Sequence, residues 1–241
     1  RGGKEAIRSN RKAAELMRTA LKSAGLPEDC VSLVQDTSHE TANELMHLDG
    51  YVDVLIPRGG AGLIRAVAKE ASVPVIRTGE GVCHVYVDDE ANLDMAANIL
   101  YNAKCSRPSV CNAAECLLVQ EDVAEAFLKK AVPLLDQHQV ELRCDERALA
   151  ILGDRAVPAA ESDWDAEYED YILAVRTVRD MEEAVAFINA HGTGHSEAII
   201  TANYFKAQRF LNEVDAAAVY VNASTRFTDG GEFGLGAEIG I

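Results

Sequence analysis

An apolar run ends in a glycine-rich turn at Val52-Asp-Val-Leu-Ile-Pro-Arg-Gly-Gly-Ala-Gly62. The β-branched run predicts a buried strand, and the proline and glycines predict a tight turn. Residues 63–71 have the apolar spacing of an amphipathic helix, and Val73-Pro-Val-Ile76 predicts the next strand. A strand, a helix and a second strand at this spacing indicate a βαβ unit. The sequence therefore predicts an α/β fold with a parallel sheet.

The same alternation extends in both directions from this turn. Before it, we expect a helix from Asn10 to Ala24, a strand at 31–34 and a helix at 39–48. After it, the predicted strands lie at 84–87, 117–119, 140–142, 171–175, 198–201 and 217–221. The predicted helices between them lie at 91–103, 112–116, 123–135, 145–151, 181–190 and 204–212. Residues 154–168 are acidic and aperiodic and contain the only tryptophan, so we predict a surface loop there.

The glycine-rich turn lies where a strand's carboxyl end meets a helix N-terminus. In open α/β sheets ligands bind at this position, and a pyrophosphate is well placed there. The turn matches neither Gly-x-Gly-x-x-Gly nor a phosphate loop with Gly-Lys-Ser/Thr. A plain tight turn and a nucleotide site both stay open.

Composition excludes several classes of protein. The net charge of −16 argues against a nucleic-acid partner, whose phosphates need a basic face. No apolar run approaches the length that crosses a bilayer, and Arg1-Gly-Gly-Lys opens no signal peptide, so we expect no membrane partner. The six cysteines have irregular spacing and form no Cys-x-x-Cys pair. We therefore expect thiols and a cytoplasmic location.

Cys111 is the candidate nucleophile. Pro108 ends a loop, so Cys111 is predicted near the N-terminus of the helix at 112–116, where backbone N–H groups favour a thiolate. Lys104 and Arg107 can add positive charge. The alternative is an ordinary core cysteine, because cysteine is among the most buried residue types. Polar neighbours favour an exposed Cys111, whereas Cys116 stands in an apolar run and is predicted to be core.

Two other clusters could suggest a metal site, but we predict none. His191-Gly-Thr-Gly-His195 has the i, i+4 spacing of two ligands, yet two glycines make a helix unfavourable there. Asp88-Asp-Glu90 precedes a predicted helix, where carboxylates serve as caps and dipole charge.

Several motifs resemble the gamma-glutamyl phosphate reductase branch of the aldehyde dehydrogenase superfamily. They are Arg1-Gly-Gly-Lys-Glu-Ala-Ile-Arg-Ser-Asn10, Ile56-Pro-Arg-Gly-Gly60, Gly81-Val-Cys-His-Val-Tyr-Val-Asp88, Arg107-Pro-Ser-Val-Cys-Asn-Ala113, Val221-Asn-Ala-Ser-Thr-Arg-Phe-Thr-Asp-Gly230 and Phe233-Gly-Leu-Gly-Ala-Glu-Ile-Gly-Ile241. The family is longer at both ends, so we expect a fragment that lacks an N-terminal segment and the extreme C-terminus.

The resemblance implies an aldehyde dehydrogenase-like α/β fold with a Rossmann-like cofactor domain and a catalytic domain. Carried onto this chain, the domains are 1–103 for NADP, 104–222 for catalysis, and a segment 223–241 that returns to the cofactor domain. The implied reaction is NADPH-dependent reduction of L-glutamate 5-phosphate to L-glutamate 5-semialdehyde, a step of proline biosynthesis. The thiolate of Cys111 would attack the acyl phosphate and form a thioester, which hydride then reduces.

The resemblance also implies cofactor contacts from Arg1, Lys4, Glu167 and the turn Arg58-Gly59-Gly60. Lys4 replaces a carboxylate that binds ribose in NAD-using relatives, and a cation there favours the 2′-phosphate of NADP. Oxidising members have a glutamate that activates water; here Thr78 or Glu80 lies opposite it, depending on the alignment.

For the substrate, the resemblance implies contacts from Asn112, Ser224, Thr225 and Arg226. Arg226 has an alternative role as an ion-pair partner that stabilises the glycine-rich tail. Two other functions stay open: an aldehyde dehydrogenase that hydrolyses its thioester with a base at Glu80, and a non-catalytic binding or assembly module of the same fold. We also allow for a homo-oligomer.

Overall fold

The computed structural model describes residues 3–76 and 79–236, which form two compact units. The first unit contains the described residues up to Gly79, and the second begins at Glu80.

The first unit contains three α-helices: α1 at Ile7–Ser23, α2 at His39–Leu45 and α3 at Ala61–Glu70. Leu55 and Val75 form a parallel bridge on either side of α3, so the βαβ arrangement predicted from the glycine-rich turn is present in minimal form. The predictions for the neighbouring segments were less accurate. Residues 31–34 form no strand, and α2 ends three residues before the predicted end.

The second unit is built on a seven-stranded sheet in which every neighbouring pair is parallel. In chain order its strands are β1 Cys83–Val87, β2 Ala114–Gln120, β3 Glu141–Cys144, β4 Val157–Pro158, β5 Ile172–Val178, β6 Ser196–Ile200 and β7 Ala218–Val221. The spatial order is β4-β3-β5-β2-β1-β6-β7. The predicted α/β class with a parallel sheet is confirmed.

Five α-helices connect these strands: α4 Leu93–Cys105, α5 Glu121–Leu135, α6 Glu146–Leu152, α7 Met181–His191 and α8 Tyr204–Glu213. Every residue of β2 is buried, as expected for a central strand covered on both faces. Along β1, Val85 and Val87 belong to one hydrophobic cluster and Tyr86 to the other. The alternation follows from the two-residue period of a strand.

The domain bounds and the surface loop expected in this region compare with the second unit as follows. The expected domain boundary after residue 103 falls within α4, inside this compact unit, and the described residues 223–236 also belong to the unit, so the division into cofactor and catalytic domains stays a prediction. The predicted surface loop at 154–168 contains β4 and a buried Trp164, which is 6% exposed and packs edge-to-face against Phe187 at 5.8 Å. The acidic composition of 154–168 gave no indication that Trp164 packs against Phe187 in the core.

Among the described residues, no helix combines the length and apolar character needed to cross a membrane.

Candidate active site around Cys111

Cys111 lies in a turn at the amino end of β2. The backbone N–H of Ala113 donates to the carbonyl of Val110 at 2.9 Å and closes this turn, and the strand begins at the next residue, Ala114. Cys111 is exposed and Cys116 is buried, as predicted. The predicted helix at 112–116 was wrong, so an adjacent helix dipole does not support the thiolate.

The backbone of Cys111 is enclosed by the segment that leads into β1. A Cβ placed on Gly81 would lie 1.7 Å from the carbonyl oxygen of Cys111, so only glycine fits there without a shift. The thiol of Cys83 donates to the same carbonyl oxygen at 3.3 Å. The start of β1 therefore positions the residue that carries the candidate nucleophile.

The side chain of Asn112, only 4% exposed, connects this turn to the tail of the chain. Its amide Nδ2 donates to the carbonyl of Thr228 at 2.7 Å, and its Oδ1 accepts from Nη1 of Arg226. Ser224 Oγ accepts the backbone N–H of Arg226 at 3.2 Å. Three of the four residues predicted to contact substrate are thus brought together beside Cys111.

Thr225, the fourth of these residues, points inward. It is fully buried, and its hydroxyl has no hydrogen-bond partner among the described residues. Full burial favours a packing role for this side chain, which anchors the turn at 225–227.

Glu167 also reaches this region. Burial raises the pKa of its carboxyl group, the backbone N–H of Gly81 opposes that shift by donating to it, and the charges of Glu169 and Glu80 reinforce it. Gly81 therefore contacts Cys111 and lies beside the carboxyl group of Glu167. The predicted contact of Glu167 with a cofactor stays a prediction.

Lys104, which the sequence suggested as a source of positive charge near Cys111, has a carboxylate partner inside the core. Its ammonium is fully buried and forms an ion pair with the carboxylate of Glu115 at 2.6 Å. Burial lowers the pKa of Lys104 and raises that of Glu115 to about 7, while the attraction between the two groups opposes both shifts. The other oxygen of Glu115 accepts the backbone N–H of Glu169 at 3.4 Å.

A second buried ion pair lies beneath the turn and was missed from the sequence. Nδ1 of His84 lies 3.0 Å from Oε2 of Glu197, and the backbone N–H of His84 donates to the same oxygen at 2.6 Å. Burial alone would lower the pKa of His84, but the carboxylate raises it to about 10. The sequence signal was one titratable residue inside each of two mainly apolar strands, His84 in β1 and Glu197 in β6.

The clusters considered as metal sites have other partners. His191 Nδ1 lies 2.8 Å from the carboxylate of Asp165, and His195 lies in the loop that follows α7. Among the described residues, Asp88, Asp89 and Glu90 form a group of three carboxylates close enough to share an ion. The ammonium of Lys206 contacts all three.

Of the predicted cofactor residues that the structure describes, all except Glu167 lie in the first unit. Gly60 is the N-cap of α3 and provides no side-chain cap for the first backbone N–H groups of this ten-residue helix, of which that of Leu63 donates to the Gly60 carbonyl at 2.9 Å. Lys4 and Gly59 are exposed and Arg58 is half-buried. Arg1 and Thr78 lie outside the described residues.

Comparison with known proteins assigns the family. Residues 8–149 and 164–236 match the pattern of the aldehyde dehydrogenase family. The chain belongs to that family. Gamma-glutamyl phosphate reductase from Clostridium perfringens (strain 13 / Type A) is 60% identical over all 241 residues, and the one from Ligilactobacillus salivarius is 56% identical. This aldehyde dehydrogenase family member spans 58% of the length of each.

Solved structures agree with this assignment. The crystal structure of gamma-glutamyl phosphate reductase from Thermotoga maritima superposes with a TM-score of 0.93 at 49% identity, covering 100% of this chain and 58% of that one. An acetylating aldehyde dehydrogenase from Geobacillus thermoglucosidasius superposes with a TM-score of 0.72 at 22% identity. The match covers 97% of this chain and 59% of that protein and shows a shared fold.

Proposed function

We propose that this chain is the part of an NADPH-dependent reductase that forms a glutamyl thioester from L-glutamate 5-phosphate, with release of phosphate, and reduces that thioester to L-glutamate 5-semialdehyde for proline biosynthesis. One observation carries the proposal: the exposed thiol of Cys111 is held in a fixed turn, in a chain 60% identical to a gamma-glutamyl phosphate reductase. The 58% coverage means that the activity is proposed for the whole protein.

Cys111 would perform the covalent chemistry. Its thiolate sulfur attacks the acyl carbon of the substrate, and the carbon–oxygen bond to phosphate breaks, which leaves a thioester and inorganic phosphate. Hydride addition to the thioester carbon, followed by cleavage of the carbon–sulfur bond, releases the aldehyde and restores the thiolate. The family implies a nicotinamide cofactor, and NADPH would supply this hydride.

Arg226 and Asn112 would orient the substrate. The guanidinium of Arg226 is held by the amide of Asn112, whose own side chain is fixed by the carbonyl of Thr228. A positioned guanidinium suits the carboxylate at the glutamyl end because it binds both oxygens in one plane. Ser224 stabilises this arrangement by capping the turn that contains Arg226.

The first unit has groups that suit the phosphates of the cofactor. The uncapped N-terminus of α3 at Gly60 presents backbone N–H groups and the positive end of a helix dipole. Apart from its neighbours in the chain, no described residue would lie within 4 Å of a Cβ on Gly60, which leaves room for a ligand there. Arg58 and Lys4 add cations, and we assign Lys4 to the 2′-phosphate of NADPH.

The cytoplasm remains our prediction for location, since none of the six cysteines is in a disulfide.

The test measures NADPH oxidation and phosphate release together, using this chain and a full-length protein that contains it. We expect equal amounts of both products, with no turnover in Cys111→Ala and only a trace in Cys111→Ser, because a hydroxyl is barely ionised at neutral pH. Cys30→Ala removes an exposed thiol of the first unit and is the matched control. Full activity in Cys111→Ala would refute the assignment.

The same experiment separates the alternatives. Aldehyde oxidation that needs no phosphate would indicate a hydrolysing dehydrogenase. A Cys111 thiol that reacts with iodoacetamide no faster than Cys30, in a protein without turnover, would indicate a binding or assembly module.

A further inference from the structure

We propose that Cys83 is a positioning residue for Cys111, and that it acts by holding the carbonyl group of Cys111 through a thiol hydrogen bond. The inference rests on the proposed function only in taking Cys111 as the nucleophile.

The carbonyl of Cys111 is held from two sides. The Cα of Gly81 lies against it so closely that an added Cβ would stand 1.7 Å from the oxygen and 2.5 Å from the carbonyl carbon. The thiol of Cys83 lies 3.3 Å from the same oxygen, a normal distance for a sulfur donor. Gly81 limits where the carbonyl can go, and Cys83 gives it a partner in that position.

Holding this carbonyl restricts the backbone that carries the reacting side chain. The turn at Val110–Ala113 is closed by its own hydrogen bond, so the main remaining backbone freedom is rotation about the Cα–C bond of Cys111. That rotation would move the carbonyl away from the Cys83 thiol. While the thiol bond holds, the Cα–Cβ direction of Cys111 is restricted and the sulfur keeps only rotation about the Cα–Cβ bond, which favours a nucleophile because attack needs one geometry.

The environment of Cys83 keeps it a donor. The residue is fully buried at the start of β1, and burial, then the charge of Glu197, raise the pKa of its thiol well above the ordinary value. A thiol that stays protonated can keep donating over the pH range in which Cys111 works. Cys83 therefore contributes a hydrogen bond and is not a second nucleophile.

Cys144 offers a matched comparison. It is 1% exposed on β3, and burial raises the pKa of its thiol to about 12. Cys144→Ala should lose a similar amount of core packing and leave the hydrogen bond to the carbonyl of Cys111 intact. A role of Cys83 in packing alone would make the two alanine variants equivalent.

The experiment compares Cys83→Ala, Cys83→Ser and Cys144→Ala. In the full-length protein, Cys83→Ala should lower kcat about two- to fivefold, the ratio that corresponds to one weak S–H···O hydrogen bond, with little change in KM. Cys83→Ser keeps a donor and should recover most of that loss. Hydrogen exchange of the Ala113 amide in this chain should accelerate about two- to fivefold in Cys83→Ala and stay near wild type in Cys144→Ala.

Each outcome decides the question. Equal behaviour of Cys83→Ala and Cys144→Ala in kcat and in exchange would overturn the proposal, as would a serine variant no better than alanine. If Cys83→Ala does not fold, Cys83→Val, which fills the space without a donor, takes its place. Absence of turnover in the wild-type protein would refute the proposed function, and the exchange measurement would then test the role of Cys83 alone.

Discussion

Removal of the Lys104 ammonium tests the electrostatics next to the candidate site. The ammonium of Lys104 and the carboxylate of Glu115 are buried and lie 2.6 Å apart. Lys104→Met removes the cation and leaves the other surroundings of the Glu115 carboxyl group nearly unchanged. Breaking a buried pair by removing one partner typically costs about 3–5 kcal/mol of unfolding free energy. Lys129→Met is the matched control, because Lys129 and Glu125 form an exposed pair that solvent screens, so its loss should change the unfolding free energy far less.

The loss of unfolding free energy in Lys104→Met should depend on pH. The folded-state pKa of Glu115 is raised from 4.5 to about 7, so this group contributes stability below 4.5 that is lost as pH rises to about 7. Without Lys104 the folded-state pKa rises further, and the loss continues beyond pH 7. The difference between the two proteins should therefore grow by about 1.4 kcal/mol per pH unit above 7, or about 2 kcal/mol at pH 8.5.

Urea unfolding followed by tryptophan fluorescence measures these differences. Trp164 is the only tryptophan and is buried in the second unit, so its signal reports on that unit. The double variant Lys104→Met/Glu115→Met should regain the loss, since apolar replacement of a whole buried pair is often neutral or stabilising. A pH-independent difference between pH 6 and 8.5 would refute the reasoning, and a large change in Cys111 alkylation would restore Lys104 as a source of charge for that thiol.

Three further predictions follow from other contacts. Lys4→Glu should weaken NADPH binding by about 1.5–3 kcal/mol in a full-length protein and leave NADH binding no weaker, which titration calorimetry would show; unchanged NADPH affinity would exclude the phosphate contact. Arg226→Ala should raise KM for the glutamyl substrate far more than KM for NADPH, whereas parallel loss of both with lower stability would indicate a structural role. The pKa of His84 is raised from 6.5 to about 10, so stability present below pH 6.5 is lost as pH rises to 10. Glu197→Gln should remove about 3–5 kcal/mol at pH 6 and flatten that dependence, and an unaltered urea profile would contradict the pairing.

The parallel sheet was predictable because its strands are continuous apolar runs separated by helices of regular period. The exposure of Cys111 was predictable for a similar reason, since its polar surroundings contrast with the apolar neighbours of the buried Cys116. The segment after Cys111 was misassigned because alanine, glutamate and cysteine at 113–116 suit a helix locally, whereas pairing with β1 and β5 places them in a strand.

The contacts that hold the site could not be read from local patterns. Gly81 and Cys83 meet Cys111 through backbone approach across the sheet, and Glu197 meets His84 from a strand 113 residues later. Lys104 was placed correctly near Cys111 in the chain, but its side chain turns into the core because Glu115 lies there. Which partner a side chain contacts depends on three-dimensional packing, and the spacing of residues along the sequence does not show it.

The strand order has a consequence for biosynthesis. β1 is the first strand of the large sheet to leave the ribosome, yet it ends between β2 and β6, and Val85 pairs with Ala198. At about 5–20 residues per second, translation of the intervening residues takes roughly 6–23 s. During that interval one edge of an apolar strand has no native partner, so the nascent chain should depend on chaperones or on a slow rate of encounter with other chains to avoid aggregation.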